Sequence, residues 1–288
     1  MKQFIELMAF PFYDHSSMET HFTAKAESGW RVDGIGLTIH YRRAEPARVK
    51  YAITYVDDSR QWSPPTGSEL RFQEFCEEAG WELVAENKKI KVFCNEDPDA
   101  VPLETDPLVQ VNNISICAVG YKMGWMISFF VCMVLGLINV KQLMASKSLL
   151  KRSDTLALCA IWLFAAAINA DTLLTYIHWE RQARRNAENQ IFTPTWSHHK
   201  LQLWGLSLFW CAVQVYLFFR SGGGFYGAAW VLIGLLCFGP VFSQTTANFK
   251  LRRKGVSGPV NWFLSYGWFA AVLIALIVIF TIMDARIA

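Results

Sequence analysis

Polar side chains inside long apolar stretches are the first residues of this sequence that could do chemistry. Asp171 follows Asn169 in one such stretch, and Gln214 lies near the middle of the next. A charge at the centre of a bilayer costs about 2.5–3.5 kcal/mol on insertion scales, so it must face a partner or water. The group formed by Asn169, Asp171 and Gln214 therefore predicts one of two arrangements. One is a polar pocket or ion pathway, and the other is a structural hydrogen bond from Asp171 that holds two helices together.

A second candidate site is an acid among aromatic residues near the N-terminus. Glu6 lies on an apolar strand-like segment. The aromatic residues that could line a cavity with it are Trp30, Tyr41 and Trp81. A carboxylate in an aromatic pocket suits a cationic, amphipathic ligand, because ring faces attract cations. The alternative is that these rings form the core and Glu6 lies at its solvated edge.

Signals for metals and catalysis are weak. His198 and His199 are adjacent, with His178 nearby, but adjacent side chains point apart on a regular backbone and no carboxylate joins them at ligand spacing. The acids of residues 97–106 lack the spacing and the glycine of a calcium loop. The sequence has no HExxH, GxSxG or Walker motif. We therefore expect no metal, no cofactor and no catalytic residues.

Stretches without charge define the elements that position the intramembrane polar residues. Residues 1–113 hold 12 of the 27 Lys and Arg and 19 of the 24 Asp and Glu, a net of −7, which leaves +10 on the remainder. A helix needs about 20 apolar residues to cross a bilayer, where no water satisfies an open backbone. Residues 114–288 thus predict an all-α transmembrane domain of about five helices, near 116–140, 155–178, 201–219, 225–246 and 261–283.

The orientation of the chain follows from its loops and its start. Loops on the predicted side of the N-terminal part carry eight Lys and Arg against six on the other side, and such a bias is typical of the cytoplasm. The chain begins Met1-Lys2-Gln3-Phe4 and shows no signal-peptide pattern. We expect a multi-pass inner-membrane protein with a cytoplasmic head. An acidic head repels phosphate, which argues against direct nucleic-acid binding.

The soluble head, residues 1–95, contains two copies of one pattern, at about 1–45 and 46–95. Each copy has a potential capping box followed by Gly-Trp: Ser16 and Glu19 precede Gly29-Trp30, and Thr66 and Glu69 precede Gly80-Trp81. Strand-like segments flank each predicted helix. The pattern predicts a duplicated β-α-β-β fold of the α+β class, with a mainly antiparallel sheet and two helices on one face. This fold is similar to gyrase-inhibitor-like effector-binding domains, which hold small ligands between their halves.

A connector of residues 96–113 follows the head. Its prolines and acids disfavour both helix and central strand, so we expect a semi-rigid, extended segment.

Several short runs carry a family resemblance. They are Ala24-Lys25-Ala26-Glu27-Ser28-Gly29-Trp30, Glu77-Glu78-Ala79-Gly80-Trp81-Glu82-Leu83, Glu96-Asp97-Pro98-Asp99-Ala100-Val101-Pro102, and then Thr105-Asp106-Pro107 and Gln110. Over about residues 1–110 the chain resembles the bacterial membrane-protein family known as domain of unknown function 2812. The resemblance implies a bacterial inner-membrane protein that accompanies a PadR-like transcriptional repressor. The family has no established catalytic residues, so none is implied for this chain.

Three functions follow as hypotheses. The leading one is a non-catalytic sensory, regulatory or protein-interaction module, whose head contacts basic loops such as residues 250–254. Its expected partners are the lipid bilayer and, at the head, a protein or a small amphipathic ligand. The alternative is a small transporter or transporter subunit that uses Asp171 and Gln214, and the third is a membrane enzyme.

Overall fold

The computed structural model describes residues 3–36, 38–57, 63–87, 89–145, 149–220, 251–261, 263 and 264. Within these residues the chain forms two compact units, each discontinuous in sequence. Of the described residues, the head unit contains those within 3–8, 22–101 and 251–264, and the helical unit contains those within 9–21 and 102–220.

The head has the predicted β-α-β-β order twice. The first repeat comprises β1 (Gln3–Leu7), α1 (His15–Glu27), β2 (Trp30–Ile35) and β3 (Thr38–Arg43). The second comprises β4 (Lys50–Tyr55), α2 (Gly67–Glu78), β5 (Glu82–Asn87) and β6 (Ile90–Asn95). Each repeat forms an antiparallel three-stranded sheet, with order β1-β3-β2 in the first and β4-β6-β5 in the second.

Two separate sheets replace the single sheet expected from the sequence. The strands β2 and β5 lie next to each other, but each has a register shift, at Val32/Gly34 and at Leu83/Ala85. A bulge leaves a residue unpaired and increases the twist of its strand, so a bulged edge does not continue a ladder. The strands bury an apolar core in both repeats, and β6 is buried at every position. The core comprises Val32, Ile39, Tyr41, Ile53, Leu83, Val92 and Phe93.

The helix ends of the head are explained largely by local sequence. Gly29 and Gly80 have φ values of +81° and +82°, the left-handed conformation that ends a helix and favours glycine. The predicted capping box of α2 is present between Thr66 and Glu69. The one predicted for α1 is wrong, because Asp14 precedes the helix and its Oδ1 accepts from Ser17 N at 3.4 Å.

Three helices are described in the helical unit: α3 (Pro107–Ala145), α4 (Leu149–Ala187) and α5 (His199–Arg220). By length and composition, Pro107–Ala145 and Thr155–Ala187 could cross a membrane. The helix α3 begins inside the predicted connector, since proline is tolerated at a first helical position and Asp106 Oδ1 accepts from Leu108 N at 2.8 Å. At about 1.5 Å per residue, the 39 residues of α3 span about 60 Å.

The helices α3 and α4 pack as an antiparallel pair. Ser115 contacts Glu180 near one end of the pair, and Gly136 meets Leu163 farther along. A Cβ on Gly136 would lie 3.1 Å from Leu163 Cδ2, so a small residue permits this close approach. A buried cluster of Cys132, Ala165 and Ala166 lies in the same unit. The predicted span 225–246 and most of 261–283 lie outside the described residues, so the five-helix bundle stays a prediction.

Candidate functional site

Four charged side chains form a buried network in the head unit. Their side chains are only 1–5% exposed. They are Glu69 in the first turn of α2, Glu86 on β5, Lys91 on β6, and Arg252 on the segment 251–261. Two carboxylates and two cations balance, and this balance makes the burial tolerable, because an unpaired buried charge is very costly.

Arg252 is at the centre of this network. Its Nη2 atom lies 2.9 and 3.0 Å from the two carboxylate oxygens of Glu69, and its Nη1 atom lies 2.5 Å from Glu86 Oε1. Its Nε atom donates to the carbonyl of Ser63 at 2.9 Å. Burial lowers the pKa of Arg252, but the carboxylates of Glu86 and Glu69 raise it further, so the net shift is upward. The guanidinium therefore stays charged.

Regular elements position the acids and Lys91. The capping box fixes Glu69, whose Oε2 accepts from Thr66 N at 2.9 Å. Glu86 and Lys91 are opposite each other in the β5–β6 ladder. Lys91 Nζ lies 2.9 Å from Glu86 Oε2 and 3.2 Å from Glu69 Oε1. The sequence analysis did not identify this network, although a lysine within the apolar strand Ile90–Asn95 was a signal that it needs a partner.

The residues of the predicted aromatic pocket come from both repeats of the head. Glu6, Trp30 and Tyr41 lie in the first repeat, where the ring of Phe4 is 5.6 Å from that of Trp30 and 5.7 Å from that of Tyr41. Trp81 lies in the second repeat, where its ring N–H donates to the carbonyl of Val101 at 3.2 Å. The sequence prediction therefore grouped residues of two different repeats.

A cation of the chain itself lies among the aromatic residues of the first repeat. Lys25 Nζ is 3.0 Å from Glu6 Oε2, 4.7 Å from the ring centroid of Phe4 and 5.6 Å from that of Tyr41. Burial, reinforced by the charge of Glu6, raises the pKa of Tyr41 and keeps its hydroxyl protonated. The group matches the chemistry expected for a cationic ligand, but Lys25 supplies the cation.

The predicted intramembrane group is dispersed. Asn169 Nδ2 donates to the carbonyl of Ala165 in its own helix at 2.8 Å. Asp171 Oδ1 lies 3.1 Å from His198 Nδ1, and both side chains are partly exposed. Gln214 Oε1 is buried and has no hydrogen-bond partner within the described part of the chain. Asn169 and Asp171 thus form these hydrogen bonds with different partners, Ala165 and His198.

The adjacent histidines diverge, as the sequence analysis expected. His198 faces Asp171, whereas the His199 ring lies 4.7 Å from the Phe10 ring and its Nδ1 is 4.0 Å from Asp14 Oδ2. The His178 ring contacts that of Trp196 at 6.4 Å. No group of three metal-ligating side chains occurs among the residues that were placed.

The N-terminal segment 9–17 is held by the helical unit. The fully buried Tyr13 ring contacts Trp125, Tyr176 and Trp179 at centroid distances of 6.5, 5.1 and 5.8 Å. Beside it, Ser16 and Thr195 exchange hydrogen bonds, each from a backbone N–H to a hydroxyl, at 2.9 and 3.0 Å. These contacts connect the start of α1 with the loop that follows α4.

A serine, a histidine and an aspartate meet in this loop without the order of a catalytic relay. Ser197 Oγ donates to the buried Asp14, and His199 Nδ1 lies 3.4 Å from the same Oγ. In a nucleophilic triad the histidine lies between the serine and the acid. Here the serine lies between them, so its proton goes to the aspartate and the histidine does not activate it.

A polar cluster between α3 and α4 was missed by the sequence analysis. Glu180 accepts a short hydrogen bond from Ser115 Oγ, and it lies 3.2 Å from Arg184 Nη2 and 3.5 Å from Lys122 Nζ. The four-residue spacing of Glu180 and Arg184 indicated a helical ion pair, but both residues lie beyond the predicted end of the span at 178.

Comparison with known proteins identifies no relative with which this geometry could be compared. No family model, no curated protein and no solved structure matches the chain.

Proposed function

We infer that the chain is a bacterial multi-pass inner-membrane protein whose cytoplasmic head is a non-catalytic sensory or protein-interaction module. The observation that carries this proposal is the burial of Arg252 against Glu69 and Glu86. In sequence, Arg252 lies between the predicted spans 225–246 and 261–283. A change in those spans would therefore act directly on the second repeat of the head.

The character of α3 supports the membrane part of the proposal. Many large apolar side chains of this helix are exposed, and they include Ile116, Val119, Met123, Ile127, Phe130, Val131, Val134, Leu137 and Ile138. Soluble proteins rarely expose apolar patches of this extent, because they favour association with lipid or protein. Together with the lengths of α3 and α4, this surface suits contact with acyl chains.

The resemblance to domain of unknown function 2812 supports a bacterial origin and a link to a PadR-like regulator. In this proposal the head transmits a state of the membrane domain to that regulator through protein contact. Direct binding of nucleic acid is not part of the proposal, because the N-terminal part is acidic.

Two experiments test this function. A fluorescent protein fused to the N-terminus should fold and fluoresce, whereas alkaline phosphatase fused there should be inactive, since it requires export. Transcript levels are then compared between cells with wild-type protein and cells with Arg252→Ala, using Lys254→Ala as the control. A sensory head predicts an altered transcript set for Arg252→Ala alone. An active phosphatase fusion, or identical transcripts at equal protein abundance, would contradict the proposal.

A transporter is the second candidate, favoured by one observation. Gln214 Oε1 is buried on the apolar helix α5 and lacks a hydrogen-bond partner among the described residues. A buried acceptor of this kind suits a transported group that donates hydrogen bonds. Asp171 is partly exposed beside His198, as expected of a site that exchanges ligands with water.

A further inference from the structure

We propose that the second repeat of the head contains a guanidinium-binding site, formed by Glu69, Glu86 and the carbonyl of Ser63, with Arg252 as its ligand in the present structure. The site goes beyond the sensory function, because it defines a chemical specificity that holds whatever signal the head serves.

The geometry of the contacts fits a planar fork of donors. All three guanidinium nitrogens of Arg252 are used: Nη2 contacts both oxygens of Glu69, Nη1 contacts Glu86, and Nε donates to Ser63. A lysine ammonium is a compact point charge and cannot reach acceptors spread along a plane in this way. The feature that favours arginine is the use of Nη2, Nη1 and Nε on three separate acceptor groups, Glu69, Glu86 and the carbonyl of Ser63.

The charge of the site also requires a cation. Among the described residues, the buried charges of the site without Arg252 are two carboxylates and Lys91, which leaves one uncompensated negative charge. Lys91 already contacts one oxygen of each acid, Glu69 Oε1 and Glu86 Oε2. The remaining oxygens, Glu69 Oε2 and Glu86 Oε1, both contact the guanidinium. A single additional positive charge therefore neutralises the site.

The acceptors come from the second repeat, whereas the ligand comes from a segment that is distant in sequence. Glu69 is fixed by the capping box of α2, and Glu86 is held opposite Lys91 by the β5–β6 ladder. Arg252 comes from the distant segment 251–261, where its carbonyl accepts from Gly255 N at 3.0 Å. Because neither the capping box nor the ladder involves the segment, the acceptors suit any guanidinium that takes the place of Arg252. The class of partner that fits is a protein that presents an exposed arginine.

The test is chemical rescue of full-length Arg252→Ala in detergent. Hydrogen exchange is followed in the peptides that cover Thr66–Glu69 and Glu82–Asn87. The variant should exchange about tenfold faster or more in both peptides, because it leaves an uncompensated buried charge. Propylguanidinium should restore the protection, and propylammonium should not. Lys254→Ala removes an exposed charge two residues away and should exchange like the wild type.

Unchanged exchange in Arg252→Ala, or equal rescue by both probes, would overturn the proposal. If Arg252→Ala does not fold, Arg252→Lys replaces it, since this variant keeps the charge and loses the fork. Arg252→Lys should also exchange faster in both peptides than the wild type. Exchange equal to the wild type in Arg252→Lys would show that charge alone is recognised and would refute guanidinium specificity.

Discussion

At the scale of single residues, the chain supplies its own cations to two acidic groups in its head. Lys25 lies beside Glu6 over the rings of Phe4 and Tyr41, and Arg252 lies between Glu69 and Glu86. The two groups differ in burial, since the Lys25 and Glu6 side chains are 26% and 32% exposed. Partly exposed pairs contribute little to stability, whereas buried pairs are costly to break. Arg252 is therefore the residue whose loss should matter more.

The pair of Asp171 and His198 gives a prediction that separates the sensor from the transporter. Their side chains are 36% and 48% exposed, and exposed pairs contribute about 0–1 kcal/mol. Asp171→Asn should therefore leave membrane insertion and protein abundance unchanged, and under the sensory proposal it should also leave the transcript response unchanged. Immunoblots of membrane fractions and transcript measurements check both expectations. His198→Ala, which removes the other partner, is the matched variant. Loss of a transport or resistance phenotype in Asp171→Asn at normal abundance would favour the transporter.

Glu104 gives a prediction of pH dependence. Burial raises the pKa of its carboxyl from 4.5 to about 7, and Oε2 has no hydrogen-bond partner in the described ranges. Since the folded state holds the proton more tightly than the unfolded chain, this group's stabilisation is complete below about pH 4.5 and is lost as the pH rises through 7. Glu104→Gln removes the titration. It should raise stability at pH 8 by on the order of 1–2 kcal/mol and change little at pH 4.5.

Tryptophan fluorescence of full-length protein during thermal unfolding measures this effect. Glu78→Gln, which alters an exposed carboxylate, is the matched control variant. Equal stabilisation by Glu104→Gln at pH 4.5 and at pH 8 would contradict the raised pKa of Glu104.

At the scale of elements, the turn after α1 can be tested by adding one methyl group. Gly29 has a φ of +81°, and a Cβ there would lie 3.0 Å from the carbonyl oxygen of Ala44. Left-handed backbone costs other residues about 1–2 kcal/mol, so Gly29→Ala should destabilise the first repeat by at least this amount. Gly67 begins α2 with no atom within 4 Å of an added Cβ. Gly67→Ala should therefore change the free energy of unfolding by only a few tenths of a kcal/mol.

Hydrogen exchange of the peptides that cover β2 and β3 measures the effect of Gly29→Ala, and those of α2 measure that of Gly67→Ala. If Gly29→Ala speeds exchange in β2 and β3 no more than Gly67→Ala speeds exchange in α2, the left-handed conformation of Gly29 is not required.

The elements of the head were predictable because their signals are local. The capping box of Thr66 and Glu69, the glycines at 29 and 80, and the alternation in β3 and β4 all act within a few residues. The division into two sheets was not predictable, since it depends on the bulges of β2 and β5 and on their packing against each other. Asp14 took the expected place of Ser16 because Ser16 bonds to Thr195, a partner 179 positions away.

The buried network of the candidate site was even less predictable from the sequence than the division into two sheets. Glu69 and Lys91 lie in elements that the sequence analysis identified, yet Arg252, which contacts both acids, is 183 positions from Glu69. The basic run at 250–254 indicated an electrostatic contact with the acidic head, but not which arginine enters or which acids receive it. A contact between residues so far apart is set by the tertiary fold, and a single sequence contains no pattern that fixes it.

At the scale of the whole molecule, both compact units are assembled from separate parts of the chain. The segment Ala9–His21 lies with the helices, and the segment 251–261 lies with the head. The sequence analysis predicted contiguous domains, because composition changes only once along the chain. A buried side chain anchors each of these segments, Tyr13 in the helical unit and Arg252 in the head unit.

The depth of the Arg252 contact predicts how the head responds to salt. A contact between an acidic head and a basic loop across water would weaken as ionic strength rises, because the Debye length falls from about 10 Å at 0.1 M to about 3 Å at 1 M. The network of Glu69, Glu86, Lys91 and Arg252 is at most 5% exposed, so counterions cannot enter between its charges. Exchange protection at Glu82–Asn87 in full-length protein should therefore stay within about twofold between 0.1 and 1 M NaCl. The pair of Arg31 and Glu96 is the internal comparison, because the Glu96 side chain is 79% exposed. Salt should screen the attraction between these two charges. A loss of protection at Glu82–Asn87 that follows ionic strength would mean that the segment is held by surface charge and that Arg252 is not buried in solution.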